Sequence, residues 1–336
     1  MHPKIARIER ALESLAHNES CCTLCPRECR VNRKEGEVGI CQSGARAAVS
    51  HALLHYGEEP VLSGSLQATS ASPSDGTRGS APSFPRGSGT IFFTGCNLKC
   101  LFCQNYQLSW LVQGRIVADE ELAAIMIDLQ NQGAYNINLV SPTHLVLPIL
   151  RALKLAFSQG LDLPIVYNSN GYEKVDVVEK LAGIIDVYLP DLKYFSPEIA
   201  GKFSGAPNYF SHAHIAVQEM FGQQPALVLD KQDIARQGLI IRHLALPGQT
   251  ADSLAILDWL AHHLPLSVPL SLMSQYHPCF NAPPEIQRPL SPDEYQTILK
   301  KAKDLGFETL FIQPEGFAPG EHLVPDFSRP DPFKWH

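Results

Sequence analysis

Thr90-Ile91-Phe92-Phe93-Thr94-Gly95 runs directly into Cys96-Asn97-Leu98-Lys99-Cys100-Leu101-Phe102-Cys103-Gln104. The first six residues read as a buried strand and the next nine as a tight loop at its end. That loop spaces three thiols as C-x3-C-x2-C. Three cysteines leave a tetrahedral zinc site one ligand short. They suit three irons of a cubane iron–sulfur cluster, whose fourth iron then stays open for chemistry. A structural zinc loop and plain buried thiols are the bland alternatives. The strand that leads into the loop weighs against both.

Composition places the chain among globular proteins: 336 residues, 45% hydrophobic and 18% charged. Lys and Arg number 27 against 34 Asp and Glu, a formal charge of −7. No basic block stands out, so nucleic acid is not indicated as a partner. No apolar run reaches the roughly 18 residues of a membrane span. The opening Met1-His2-Pro3-Lys4-Ile5-Ala6 leads into a charged helical pattern rather than a signal sequence. The expected location is cytoplasmic, where cysteines are ligands more often than disulfides. Eight of the nine lie before residue 104.

Cys22, Cys25, Cys29 and Cys41 form a second set, spaced C-x2-C-x3-C-x11-C. Four thiolates close a metal's coordination shell and leave no vacant position, which suits structure or electron relay. Zinc, a second iron–sulfur cluster and free thiols all remain open. Residues 1–62 are therefore expected to form a small N-terminal Cys-rich metal-binding segment. Residues 63–88, rich in Ser, Gly and Pro, bury too little apolar surface to offset chain entropy and are expected to be a flexible insertion. Residues 316–336 are left as a C-terminal tail.

Residues 4–17 carry a helical pattern. From 89 to 315, strand-like runs at 90–95, 136–140, 163–167, 185–189, 239–246, 269–274 and 309–312 alternate with helical patterns. The helices fall at 118–132, 144–158, 173–183, 196–222, 251–263 and 292–305. Such alternation gives parallel β/α units, an α/β fold of the partial (β/α)6-type TIM-barrel kind. Chemistry in these barrels gathers where strands end. The strand ends carry Ser141-Pro142-Thr143-His144, Asn168-Ser169-Asn170-Gly171, Pro190-Asp191-Leu192-Lys193, Arg242-His243 and Gln275-Tyr276-His277-Pro278-Cys279. Cys279 on its own reads as a small buried side chain.

With Phe102 at its aromatic position, the cysteine loop matches the C-x3-C-x-aromatic-C signature of the radical S-adenosylmethionine (SAM) superfamily. Residues 89–315 resemble its activating-enzyme branch, that of the pyruvate formate-lyase activating enzyme. Cys22, Cys25, Cys29, Gly39 and Cys41, with the lead-in Gly87–Phe93, resemble uncharacterised relatives of that branch. The resemblance implies that Cys96, Cys100 and Cys103 hold a 4Fe-4S cluster whose open iron is chelated by SAM. It puts Phe102 beside the adenine, and Ser141 and Thr143 near the amino group. Asn168 and Asn170 would approach the ribose or carboxylate, and Asp191 and Lys193 the carboxylate. Arg242 and His277 complete the implied SAM-binding set. Ser141–His144 stands where many members carry Gly-Gly-Glu, and it has no carboxylate.

The implied reaction is reductive cleavage of SAM to a 5′-deoxyadenosyl radical, which takes a hydrogen atom from a substrate. The implied partners are a one-electron donor of the flavodoxin or ferredoxin type and a glycyl-radical enzyme as protein substrate. Modification of a small molecule or another protein side chain stays open, as does a non-catalytic iron–sulfur or zinc protein. Phe92, Phe93 and Leu139 are expected to wall the radical off from water.

Overall fold

A computed structural model describes residues 2–64, 86–313 and 323–333. The insertion expected at 63–88 thus falls largely outside the described residues, as do positions 316–322 and 334–336 of the tail. In chain order the elements begin with α1 (Ile5–Leu15), β1 (Ala48–His55), α2 (Pro60–Ser63), β2 (Ser88–Phe93), α3 (Tyr106–Ser109) and β3 (Arg115–Ile116). Next come α4 (Asp119–Asn131), β4 (Ile137–Val140), α5 (Val146–Ser158), β5 (Ile165–Ser169), α6 (Val175–Lys180) and β6 (Val187–Pro190). Then follow α7 (Pro197–Ser204), α8 (Tyr209–Gln223), β7 (Val228–Leu229), β8 (Ala235–Leu239) and β9 (Ile241–Leu244). The last are α9 (Thr250–His263), β10 (Leu270–Met273), α10 (Pro292–Leu305) and β11 (Leu310–Ile312).

One sheet runs β3-β1-β2-β4-β5-β6-β8-β7 and a second β11-β10-β9. A parallel bridge between Asp191 and Arg242 joins them. From β2 through β4, β5, β6 and β8 the pairing is parallel, as it is among β9, β10 and β11. The result is an α/β partial barrel with β1 added antiparallel at the β2 edge. Two expected elements are divided. The helical stretch at 196–222 breaks at Gly205, whose φ of +57 ends α7 in the left-handed conformation glycine tolerates best. The strand expected at 239–246 is preceded by β8, which pairs with β6, while β9 pairs with β10.

Strand alternation divides the core into two faces. Ile91, Phe93, Ile137, Leu139, Ile165 and Tyr167 belong to the large core that includes the apolar sides of α1, α4, α5 and α8. Val166, Val187 and Leu189 point the other way and surround Leu62 of α2, which closes one end of the barrel interior. Phe92, also on the inner face, packs with Leu108, Phe327 and Phe333. Of the three residues expected to wall the radical, Phe93 and Leu139 therefore lie on the helix-covered face; Phe92 alone faces inward. The described part of the tail seats on this inner side: Arg329 O accepts from His51 Nε2 at 2.9 Å, and Gln107 Oε1 accepts from the Phe327 amide at 2.6 Å.

Helix ends follow local chemistry. Ser291 and Glu294 form a reciprocal capping box ahead of α10, Pro292 occupies its first turn, and Gly306 closes it at φ +89. Among the described residues no helix is long and apolar enough to cross a membrane.

Candidate functional site

The cysteine loop leaves β2 at its C-terminal end. Gly95 takes φ +80, and a Cβ there would lie 2.4 Å from Cys41 O and 2.5 Å from Ser43 Oγ. The N-terminal segment therefore packs straight onto the loop. Lys99, with φ +61, sends its Nζ to Gln42 Oε1 at 2.9 Å and to Ser109 O. Cys96 and Cys100 are buried and Cys103 is half-buried. Leu98 N and Asn170 Nδ2 each lie 3.4 Å from Cys96 Sγ, and Tyr194 OH lies 3.8 Å from Cys100 Sγ.

Burial pushes the Cys100 thiol above its ordinary pKa. Burial, together with neighbouring Cys100, pushes Cys103 up to about 12. A buried thiol of this kind ionises only when a metal or a cation holds the thiolate. Lys193 supplies a cation: burial opposes its charge, but Asp191 and Cys100 outweigh that and keep its pKa above the ordinary lysine value. Its Nζ is 2.6 Å from Asp191 Oδ2. Asn170 joins the strand ends to the loop, donating to Asn97 Oδ1 at 2.8 Å beside its contact with Cys96. Cys96, Cys100, Asn170, Asp191 and Lys193 are thus brought together at one mouth.

Other candidates stand elsewhere or are committed to other partners. Arg242 forms ion pairs with Glu58 and with Glu59 Oε2 (2.6 Å), and its Nη1 lies 3.4 Å from Asn168 Oδ1. Asn138 Nδ2 holds Glu58 from β4 at 2.9 Å. Arg242 thus stands beside Asp191 and Asn168 but is neutralised by Glu58 and Glu59. Thr143 is buried and donates its hydroxyl to Glu173, which also accepts from Tyr167 OH at 3.3 Å. Tyr167 lies on the helix-covered face, so the Thr143 hydroxyl is directed away from the barrel interior. Ser141 adopts φ +56, and its amide donates to Asn168 O at 2.8 Å. A left-handed non-glycine backbone at a strand end is a strained feature typical of sites. Phe102 is buried edge-on to Tyr276 (5.6 Å) and Phe203 (6.2 Å), and its carbonyl accepts from Cys279 Sγ at 3.4 Å. His277 is half-buried in the loop after β10.

In the N-terminal set Cys22, Cys25 and Cys41 are buried and Cys29 is half-buried, whereas adjacent Cys21 is exposed. Burial pushes Cys25 up to about 12. Arg33 Nη2 lies 3.5 Å from Cys41 Sγ, and Cys29 Sγ rests on Gly39, where a Cβ would stand 2.4 Å away. Cys29 and Cys41 act electrostatically on Cys22, and Cys41 and Cys22 on Cys25, so the four lie near one another. Among the described residues no three His, Cys, Asp or Glu side chains converge on a single metal ion. A cubane takes each thiolate on a different iron, so its cysteines stand apart.

The structure also brings forward residues that the motifs did not single out. Arg27 reaches the cysteine loop, Glu58 and Glu59 neutralise Arg242, and Glu173 binds Thr143. The available signals were slight: an Arg inside Cys-Pro-Arg-x-Cys, an acidic pair before Pro60, and an acid after Asn-Gly-Tyr.

A family model described as the radical SAM superfamily matches residues 90–260. The uncharacterized protein MJ0674 of Methanocaldococcus jannaschii is 30% identical over 302 residues, which cover 86% of this chain and 76% of that protein. Among solved structures, methylornithine synthase (PylB) superposes with a TM-score of 0.40 at 14% identity over 62% of this chain. This chain spans 59% of that one.

Proposed function

The chain belongs to the radical SAM superfamily, and from that premise we propose that Cys96, Cys100 and Cys103 hold its catalytic 4Fe-4S cluster. The observation that carries this reading is the contact of Asn170 Nδ2 with Cys96 Sγ at 3.4 Å, beside the buried Lys193–Asp191 pair that acts electrostatically on Cys100. When bound, the reduced cluster with SAM on its open iron supplies C–S bond cleavage and a 5′-deoxyadenosyl radical that takes hydrogen from a substrate. The chain's own residues orient and enclose. Lys193 offers its ammonium to the SAM carboxylate, and Asp191 fixes that ammonium. Asn170 holds the loop against the strand ends. Ser141 and Asn168 present polar groups at the neighbouring strand ends. Phe92, with Phe327 and Phe333, keeps water from the inner face.

By resemblance to the pyruvate formate-lyase activating enzyme, the proposed substrate is a backbone glycine of a partner enzyme. A one-electron donor of the flavodoxin or ferredoxin type would reduce the cluster. The thiols at 22, 25, 29 and 41 are proposed to hold a second metal group, zinc or an iron–sulfur cluster, since four thiolates can close either coordination shell.

Anaerobic reconstitution, iron and sulfide counting, and SAM cleavage with dithionite test the reading. A Cys96→Ala, Cys100→Ala, Cys103→Ala variant is expected to lose cleavage and retain the N-terminal metal. Continued 5′-deoxyadenosine formation by that variant would sink the ligand assignment. A folded variant free of metal would remove the second site. Exposing the reduced enzyme to a candidate partner and looking for a glycyl radical by electron paramagnetic resonance (EPR) tests the substrate.

A further inference from the structure

One side chain of the N-terminal segment spends all its hydrogen-bonding geometry on the cysteine loop and its neighbour. Arg27 stands between Cys25 and Cys29. Its Nε donates to Asn97 O at 2.9 Å, and its Nη2 to Leu98 O at 3.0 Å and Ser204 O at 2.9 Å. Its Nη1 donates to Gly205 O at 2.6 Å. Asn97 and Leu98 follow Cys96 directly; Ser204 and Gly205 end α7. All four acceptors are carbonyl oxygens. The guanidinium also lies 5.3 Å from the centre of the Tyr172 ring. Tyr172 O accepts from Asn97 Nδ2 at 2.7 Å, and Asn97 Oδ1 accepts from Asn170, the residue beside Cys96 Sγ. A continuous set of contacts therefore runs from Arg27 through Asn97 and Asn170 to a proposed cluster ligand.

We propose that Arg27 is a positioning residue for the cluster loop, and that the N-terminal Cys-rich segment is the clamp that carries it. This rests on the assignment of Cys96, Cys100 and Cys103 as cluster ligands. Three segments meet here without a β-ladder between them: 25–29, 96–101 and the end of α7. Helix-terminal carbonyls need outside donors, and a cation at that end is favoured by the helix dipole. A planar guanidinium can address the loop on one side and the helix on the other; an ammonium is a point charge without that fork. The segment that holds Arg27 also carries the four thiols at 22, 25, 29 and 41. Loosening that segment therefore loosens the backbone around Cys96, and Arg27 carries the state of the first cysteine set to the second alongside the Lys99–Gln42 contact.

The test compares full-length wild type, Arg27→Lys and Arg27→Met, with Arg30→Lys as control, since Arg30 is exposed on the same segment. Each is reconstituted anaerobically and reduced with dithionite. A chemical reductant makes the rate independent of any protein electron donor. The readouts are iron and sulfide per chain, cluster midpoint potential, the EPR change on adding SAM, and 5′-deoxyadenosine formed per cluster. Arg27→Lys is expected to load a cluster and cleave SAM at least about tenfold more slowly per cluster, which is about 1.4 kcal/mol. Its potential and SAM-dependent spectrum are expected to shift, while Arg30→Lys behaves as wild type. An Arg27→Lys enzyme with wild-type rate, spectrum and potential per cluster overturns the clamp alone. A wild type that loads no cluster overturns the parent assignment and the clamp with it. Should the Arg27 variants load no cluster, hydrogen exchange of the metal-free chains decides. The probe is the Leu101 amide, bonded to Phe203 O at 2.9 Å. Faster exchange confined to 96–101 supports the clamp; exchange raised throughout the chain overturns it.

Discussion

Thr143 donates its hydroxyl hydrogen to Glu173, a carboxylate that is fully buried with Tyr167 as its second donor. Burial pushes the Glu173 pKa up to about 7, against the pull of its hydroxyl donors. Nearby His144, whose Nε2 pairs with Thr94 O at 2.9 Å, is pushed down to about 4 by burial. His243, between Leu192 O and Ser253 Oγ, is pushed down to about 4 by the same cause.

These three groups set an acid profile. A raised carboxyl pKa means that the native state takes a proton before the unfolded chain does, so stability rises as pH falls from about 7 to the ordinary value of 4.5. A lowered histidine pKa means the opposite, with stability lost as pH falls from 6.5 to about 4. Between the ordinary Glu and His values, the unfolded chain therefore binds about one more proton than the native state through these groups. Stability contributed by the set should fall by about 1.4 kcal/mol per pH unit on acidification. Glu173→Gln removes the opposing proton, and the slope should approach twice that. At pH 8 the variant should be more stable by about 2 kcal/mol, because an ionised carboxylate no longer sits in an apolar surround. Denaturant unfolding from pH 5 to 8 checks both. Equal slopes in the two proteins would remove Glu173 from the account.

Arg242, Glu58 and Glu59 make a second prediction. Arg242 is buried between two carboxylates, which overcome the effect of burial and hold its pKa well above the ordinary value. Arg242→Met strands both acids in the barrel interior and should cost roughly 3–5 kcal/mol. The triple variant Arg242→Met, Glu58→Gln, Glu59→Gln removes all three charges and should recover most of that loss. Unfolding midpoints of the two variants give the comparison. A triple variant no more stable than the single one would argue against Glu58 and Glu59 as the main partners of Arg242.

The C-terminal strap offers a third. Phe333 packs 4.5 Å from the His55 ring and 5.4 Å from Phe92, and is buried. A Phe→Ala change in a core costs about 3–5 kcal/mol. Residues 323–333 join none of the named strands or helices and can undock without unfolding the barrel, so the global loss should be smaller than that. Phe333→Ala should instead speed hydrogen exchange at the Phe327 amide, which is bonded to Gln107. Unchanged exchange there, with a lowered global melting point, would show that the strap unfolds only with the barrel.

The barrel and the mouth were legible because their signals are local. Three cysteines at fixed spacing follow a strand, and polar residues stand where apolar runs stop. Period-two alternation puts Phe92 and Phe93 on opposite faces, which the expectation that grouped them on one wall did not apply. Which face the helices cover is not local, and the structure puts Phe93 and Leu139 on that covered face. Arg242 shows the other limit. Its partner Glu59 is 183 residues away, beyond any spacing rule, and only folding brings α2 up against β9. Thr143 sits in the right motif position, yet its rotamer answers to Glu173. Arg27 was visible inside a cysteine pattern but not its four carbonyl partners, two of which end a helix nearly 180 positions later.

Lys193 and Asp191 give the sharpest test of the mouth itself. The pair is largely buried, with side chains 16% and 17% exposed, and Lys193 acts electrostatically on Cys100. If Lys193 receives the SAM carboxylate, Lys193→Met removes one charge-assisted hydrogen bond and leaves Asp191 facing the ligand's negative end. A loss of about 1.5–3 kcal/mol then corresponds to roughly 10–100-fold weaker SAM binding. Cluster content should stay at the wild-type level, because Lys193 supplies no ligand atom. Lys193→Arg restores the charge with a larger head and should recover part of the affinity. Titrating SAM into reconstituted, reduced protein and following the EPR change measures all three. Wild-type affinity in Lys193→Met would move the carboxylate site away from β6. Loss of the cluster in that variant would instead make Lys193 a support for the Cys100 thiolate.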